Sequence, residues 1–209
     1  ASLLRYFRLN EGTTDQISIP AISPTGEIVI SCKFMSATTG GVQAIYYFGK
    51  MLVRIESETI IKVWGDSGGA SATFTAPPIG GKLNSLTVIQ SVVSTDVEVI
   101  LNGVSLGVMT SSLANPTGSA EYSIGRHFGF RIIGVISDFT ISADDTLIRD
   151  YPINDNGNTI RDLVSGQDGT VINGNANDWG LFKEQPTLWE GQNLNVPPWD
   201  SVDQELIKA

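Results

Sequence analysis

Glu56 and Glu58 stand two residues apart at the end of an apolar run, a spacing that puts two carboxylates on one face of a strand. Glycoside hydrolysis needs such a pair, one group protonating the leaving oxygen and the other attacking from about 5 Å away in the retaining mechanism. No third acidic residue follows in register, and Thr59-Ile60-Ile61 resumes a hydrophobic strand. The pair therefore reads as a solvated strand end, and no catalytic residue is assigned. His127 is the single histidine, which excludes a histidine-rich zinc site and leaves one residue around which a Ser-His-Asp triad could form. It sits in Arg126-His127-Phe128-Gly129-Phe130, between two strands; there is no G-x-S-x-G elbow, and Ser123 falls on a strand. The plain expectation is a half-exposed loop histidine bonded to backbone, and the sharper one is a ligand contact.

Two stretches offer groups suited to a saccharide. Trp64, followed by Gly65, Asp66 and Ser67 at a hairpin tip, sets an aromatic face beside a carboxylate that can bond sugar hydroxyls. The Arg126 to Phe130 loop, with Arg126, His127 and Phe128 foremost, presents a similar mixture of ring and cation. Both sets equally suit ordinary packing, since large aromatics are usually well buried. Asn154, Asp155, Asn156, Asn158 and Asp162 gather hard oxygen donors of the kind Ca²⁺ takes. Asx residues in a glycine-punctuated loop also bond their own backbone. Calcium is the one cofactor these residues offer.

The elements that must position these groups centre on Val97 to Ile141. Val97, Val99 and Leu101 alternate with Glu98, Ile100 and Asn102, the period of a half-buried strand, and Asn102-Gly103 supplies the positive φ angles of a two-residue hairpin turn. Tyr122 to Arg126 and Ile133 to Ile141 are further strands, with Ile133, Val135, Phe139 and Ile141 expected on one face. Earlier strands are Leu3 to Leu9, Gln16 to Ile19, Glu27 to Phe34, Ala44 to Phe48, Met51 to Glu56, Thr59 to Trp64, Ser71 to Ala76 and Leu86 to Val93. Roughly a dozen short antiparallel strands separated by turn residues predict a sandwich or jelly roll. Beyond Ile141 the chain turns to Asn, Asp and Gly, and Ser142 to Trp179 reads as irregular loops with one or two short strands, such as Thr170 to Ile172. Residues 1–182 make one domain. Residues 183–209 make an extended arm, with a short terminal helix capped by Ser201.

The 209 residues carry a net charge of −9, all of it in residues 138–209, which hold 4 basic and 13 acidic side chains. Phosphate contacts need a basic patch, so nucleic-acid binding is excluded as a main activity. The single cysteine, Cys32, shares a face with Ile28, Ile30 and Phe34 and reads as a buried thiol; with no disulfide to form, folding in a reducing cytoplasm is expected. No apolar run approaches the ~18 residues of a membrane span, and Ala1-Ser2-Leu3-Leu4-Arg5 lacks the order of a signal peptide, so no membrane insertion is expected. Trp179, Trp189 and Trp199 give the acidic C-terminal region apolar anchors that must be covered, either by the sandwich or by a neighbouring subunit.

LNGVSLG, then YSIGR, then FRIIGVISDFTI resembles the signature of concanavalin A-like (laminin-G-like) lectin and glucanase jelly rolls. LNEGTTDQISIPAISPTGEIVISCKF is similar to the opening strand pair of that family, and RDYPINDNGNTIRDLVSGQDGTVINGNANDWGLF resembles the closing segment of phage virion proteins with this fold. The resemblance implies an all-β concanavalin A-like jelly-roll sandwich of two antiparallel sheets with an extended C-terminal arm. It further implies a non-enzymatic virion structural protein of a tail or head appendage, made in the host cytoplasm. Other virion subunits, a homo-oligomer and a host surface glycan are the partners expected of it. A polysaccharide-cleaving enzyme of the same fold and a cellular carbohydrate-binding module are the rival readings.

Overall fold

The computed structural model describes residues 15–23, 26–36, 41–48, 51–65, 71–91, 95–110, 122–153 and 157–173, with the backbone alone of the strands at 3–9 and 179–183. Strands are numbered in chain order. One sheet runs from edge to edge as β10 (Val104–Thr110), β9 (Asp96–Leu101), β8 (Asn84–Gln90), β3 (Ile28–Ser36), β14 (Gly134–Ala143), β1 (Leu3–Leu9) and β18 (Trp179–Lys183), and β15 (Thr146–Tyr151) also pairs with β14. The second runs as β16 (Thr159–Ile160), β17 (Gly169–Ile172), β2 (Gln16–Ser18), β11 (Tyr122–Ile124), β4 (Gln43–Phe48), β5 (Met51–Ser57), β6 (Ile60–Gly65) and β7 (Ser71–Thr75). A two-stranded ribbon, β12 (Arg126–His127) with β13 (Phe130–Arg131), completes the set. No helix occurs among the described residues, and every pairing is antiparallel.

The period-2 patterns dictate the sandwich. Ile28, Ile30, Cys32 and Phe34 of β3, with Val88 of β8 and Val97 and Val99 of β9, meet Val53, Val63 and Phe74 of the second sheet in one core. Tyr46, Phe48, Tyr122 and Phe139 form its aromatic centre, with Phe139 set edge-on at 5.5 Å from Tyr46 and 5.7 Å from Phe48. Each such buried ring contributes about 1.5–3 kcal/mol by area alone. The Tyr122 hydroxyl donates to the Ile22 carbonyl at 3.0 Å. Cys32 is buried as expected, and desolvation, with the Asp138 charge adding to it, pushes its thiol pKa far up, so the group packs as a small hydrophobe.

The β9–β10 turn is as the sequence predicts, with φ of 53° at Asn102 and 78° at Gly103. Asn102 also ties the hairpin to the next strand: its Oδ1 accepts from the Ser85 amide at 2.8 Å and its Nδ2 donates to Oδ1 of the buried Asn84 at 3.0 Å. β14 departs from expectation. Its register shifts between Ser137 and Thr140, with Asp138 at φ 47°, so the face is reset by a bulge. Ile136, not Val135, joins Phe139 and Ile141 in the intersheet core, while Val135 is buried outside it.

The closing segment is more regular than its Asn- and Gly-rich composition suggests. β15 adds to the first sheet, and β16 and β17 add to the second, so the segment ties both layers together. Asp162 holds the turn between them. Its Oδ1 accepts from the amides of Asp150 at 3.0 Å and Val164 at 3.1 Å, Oδ2 accepts from Ser165 Oγ, and the Arg149 guanidinium lies 3.6 Å away. Burial alone would raise its pKa, but the Ser165 hydroxyl and the amides of Asp150, Val164 and Ser165 outweigh it and hold the carboxyl below its ordinary value.

Two outcomes follow from these turns. Replacing Gly103 with Val puts a β-branched residue at φ 78° and is expected to destabilise the protein by about 1–3 kcal/mol, read by denaturant unfolding; an unchanged midpoint would show that the turn tolerates side chains. Because the folded-state pKa of Asp162 is depressed, its stabilisation is full above the unfolded-state value of about 3.9 and is lost as pH falls through the lower folded one. Asp162→Asn is expected to be less stable than the parent at pH 7, with the gap closing below about pH 4; a gap independent of pH would remove the charge from the explanation.

Candidate functional site

Side chains on β4, β5 and β6 that point away from the core build a second, smaller cluster. Tyr47, Leu52 and Trp64 are register partners across these three strands, and with Ala44 they pack together on the outer face of the sheet. A bulge between Ala44 and Tyr46 in β4 lets Ile45 and Tyr46 both reach the intersheet core while Tyr47 stays outside. Two residues along β5, Arg54 stands opposite Lys62 of β6. The Arg54 guanidinium lies 4.3 Å from the Trp64 ring centroid and 5.4 Å from that of Phe130, and Lys62 Nζ lies 4.8 Å from the Trp64 ring. Arg54 is 7% exposed, and its Nη2 meets Glu56 Oε2 at 2.6 Å. Cation–π contacts of this kind contribute about 0.5–2 kcal/mol, most where the pair is desolvated.

The β12–β13 ribbon folds over β4. Gly125, at φ 88°, and Phe128, at φ 48°, turn the chain so that His127 and Phe130 face each other as a cross-strand pair. His127 lies flat on Tyr47, ring centroids 3.6 Å apart at 23°. It is therefore a buried, stacked histidine, not the half-exposed loop residue expected, because the turn folds it onto the sheet face. Phe128 is 73% exposed and Phe130 38%, so two aromatic rings stand out to solvent beside the cations. Arg126 Nε donates to the Phe128 carbonyl at 3.1 Å, and Ser123 Oγ donates to the Arg126 carbonyl at 2.5 Å, which commits Ser123 to holding the ribbon.

Trp64 and the Arg126, His127, Phe128 loop, separate candidates in the sequence, thus lie on one face. Asp66 lies outside the described residues. Phe130, at the end of the same loop, belongs to this surface, and so do Tyr47, Arg54 and Lys62, which the sequence does not mark as site residues. The available signal was Arg54 itself, a charge inside Met51-Leu52-Val53-Arg54-Ile55, where every neighbour is buried. Glu56 and Glu58 do not share a strand face: β5 is irregular between Ile55 and Ser57, Glu58 is in the turn, and Glu56 is committed to Arg54.

Of the oxygen donors, Asn154, Asp155 and Asn156 lie outside the described residues, and Asn158 is exposed with its carbonyl accepting from the Val171 amide at 2.8 Å. Asp162 has its oxygens taken by amides and a hydroxyl and faces a guanidinium, so its geometry is that of a turn organiser. Among the described residues no group of three or more His, Cys, Asp or Glu is placed to hold a metal. Trp179 opens β18, where its backbone pairs with Phe7; Trp189, Trp199 and the rest of the arm beyond Lys183 lie outside the described residues.

No family model and no curated protein matches the sequence. Solved structures do match in fold. A candidate carbohydrate-binding protein from Bacteroides ovatus aligns at TM-score 0.65 and 14% identity over 88% of this chain, which spans 60% of that protein's length. A heptameric SAP-like pentraxin from Limulus polyphemus aligns at TM-score 0.55 and 10% identity over 86% of this chain and 94% of its own. Domains LG4-5 of the mouse laminin α1 chain align at TM-score 0.48 and 14% identity over 68% of this chain and 41% of theirs. At these identities the likeness concerns architecture. The chain folds as a concanavalin A-like jelly-roll sandwich.

Proposed function

We propose that this protein is a non-enzymatic glycan-binding module whose binding surface is the outer face of β4, β5 and β6 with the β12–β13 ribbon. The observation that carries the reading is the surface itself: exposed Phe128 and Phe130 on the ribbon over Tyr47, Arg54 buried near both Trp64 and Phe130, and Lys62 over the Trp64 ring. Rings of this kind stack on the apolar face of a pyranose, while cations and amides bond its hydroxyls. The first structural neighbour, a candidate carbohydrate-binding protein, supports the same reading. Glu56 supports binding over hydrolysis, since a carboxylate locked to Arg54 at 2.6 Å is poorly placed to attack a sugar or shuttle a proton.

Within that reading the chain is proposed to serve on a virion, in a tail or head appendage, where glycan binding means host attachment. What supports this is the closing segment's resemblance together with its position, bridging both sheets through β15, β16 and β17. A cellular carbohydrate-binding module is the second reading, and the neighbours favour it.

The test is a glycan array followed by titration with the best ligand. Phe128→Ala and Trp64→Ala are each expected to weaken binding about tenfold or more while leaving the thermal midpoint of Phe128→Ala unchanged, since loss of a stacked ring at a binding hot spot costs at least 1–2 kcal/mol. Full binding by both variants would move the site elsewhere, and release of reducing ends from the bound glycan would replace the binding module with an enzyme.

A further inference from the structure

We infer that this face takes an acidic saccharide, one bearing a carboxylate, an inference that rests on the glycan-binding reading above and names its ligand class. Arg54 and Lys62 are direct cross-strand partners on the same face of β5 and β6. Like charges set opposite each other weaken an antiparallel ladder, so the pairing is a local cost. It occurs in a chain whose net charge is −9, where an acidic partner for Lys62 was abundantly available to the sequence.

The two sheet cations are not equivalent. Arg54 is buried, its fork engaged by Glu56 and its plane held near Trp64 and Phe130. Lys62 is half-buried, its ammonium lies over the Trp64 ring, and it forms no ion pair with any described residue. Arg54 is thus a fixed part of the platform, and Lys62 is the cation left to meet a ligand. An ammonium is a compact point charge with three donors, which matches a single carboxylate. Arg54 already has Glu56 as its counter-ion, so a carboxylate on a sugar held at this face answers the charge of Lys62, which a neutral sugar leaves unpaired. One ammonium with no ion pair among the described residues fits a singly charged group better than a polysulfated chain, whose affinity needs several cations at once.

The experiment is binding of the full chain to an array holding neutral glycans, uronic and other carboxylate-bearing glycans, their carboxyl-reduced or methyl-esterified counterparts, and sulfated glycans. It is repeated with Lys62→Met and at raised ionic strength. The expected result is binding concentrated on carboxylate-bearing glycans and lost from the esterified counterparts. Binding should fall about tenfold in Lys62→Met, whose circular dichroism stays that of the parent and whose thermal midpoint does not fall, and fall further as salt shortens the screening length. Equal binding of neutral or esterified glycans, unaffected by Lys62→Met, would overturn the acidic assignment and leave the glycan reading standing. Binding confined to sulfated chains whatever their sugar would also overturn it, in favour of a polyanion surface. No binding to any glycan would overturn both.

Discussion

Arg54 lies in the middle of a strand whose other residues, from Met51 to Ile55, are buried, and its guanidinium is almost wholly removed from water. Taking an ion out of water costs several kcal/mol unless partners replace the solvent. Here Glu56 supplies an opposite charge from the same strand, Trp64 supplies a π face from the next, and Phe130 supplies a second ring from a different part of the chain. The compensation is incomplete, since Nε has no hydrogen-bond partner among the described residues. This one cation therefore constrains three elements together: the register of β5 against β6, the rotamer of Trp64, and the position of the β12–β13 ribbon.

That constraint explains why the outer face is organised, although it lies outside the main core. The intersheet core needs only apolar residues at period 2, and many arrangements of the surface above it would be compatible. Stacking of His127 on Tyr47 and the approach of Phe130 to Arg54 select one, and in doing so they leave Phe128 and part of Phe130 exposed. Exposed aromatics beside a desolvated cation are a poor solution for stability alone. Under the proposed glycan-binding role, a surface arranged in advance in this way would cut the ordering cost of binding.

Much of the frame was legible in the sequence because its signals are local. Val97-Val99-Leu101 alternates, Asn102-Gly103 has one turn type available to it, and Ile28, Ile30, Cys32 and Phe34 share a face by spacing alone. What was not legible depends on contacts distant in the chain. The bulge at Asp138 shifts β14 by one residue, and its side chain finds Lys33 at 3.0 Å across the sheet, a partnership no window of sequence contains. The Asp162 turn organises β15 to β17 through amides at 150 and 164 and so gives strands to a segment whose composition reads as loop. For the candidate site, Trp64 and the Arg126 to Phe128 stretch were visible as residue types. Their union on one face was not, because it is made through Tyr47, whose outward direction depends on a bulge in β4, and through the contact of Arg54 with Phe130 of a ribbon distant in the chain.

The central claim is that a saccharide binds on the outer face of β4, β5 and β6. A ¹H–¹⁵N correlation titration of the protein with its best array ligand tests this most directly. The account predicts shift changes at Tyr47, Arg54, Lys62, the Trp64 indole and the 126–131 ribbon, with the opposite sheet at Thr87 and Ile89 unmoved. Changes centred on that opposite sheet or on the turn around Asp162, with the Trp64 indole unmoved, would contradict it.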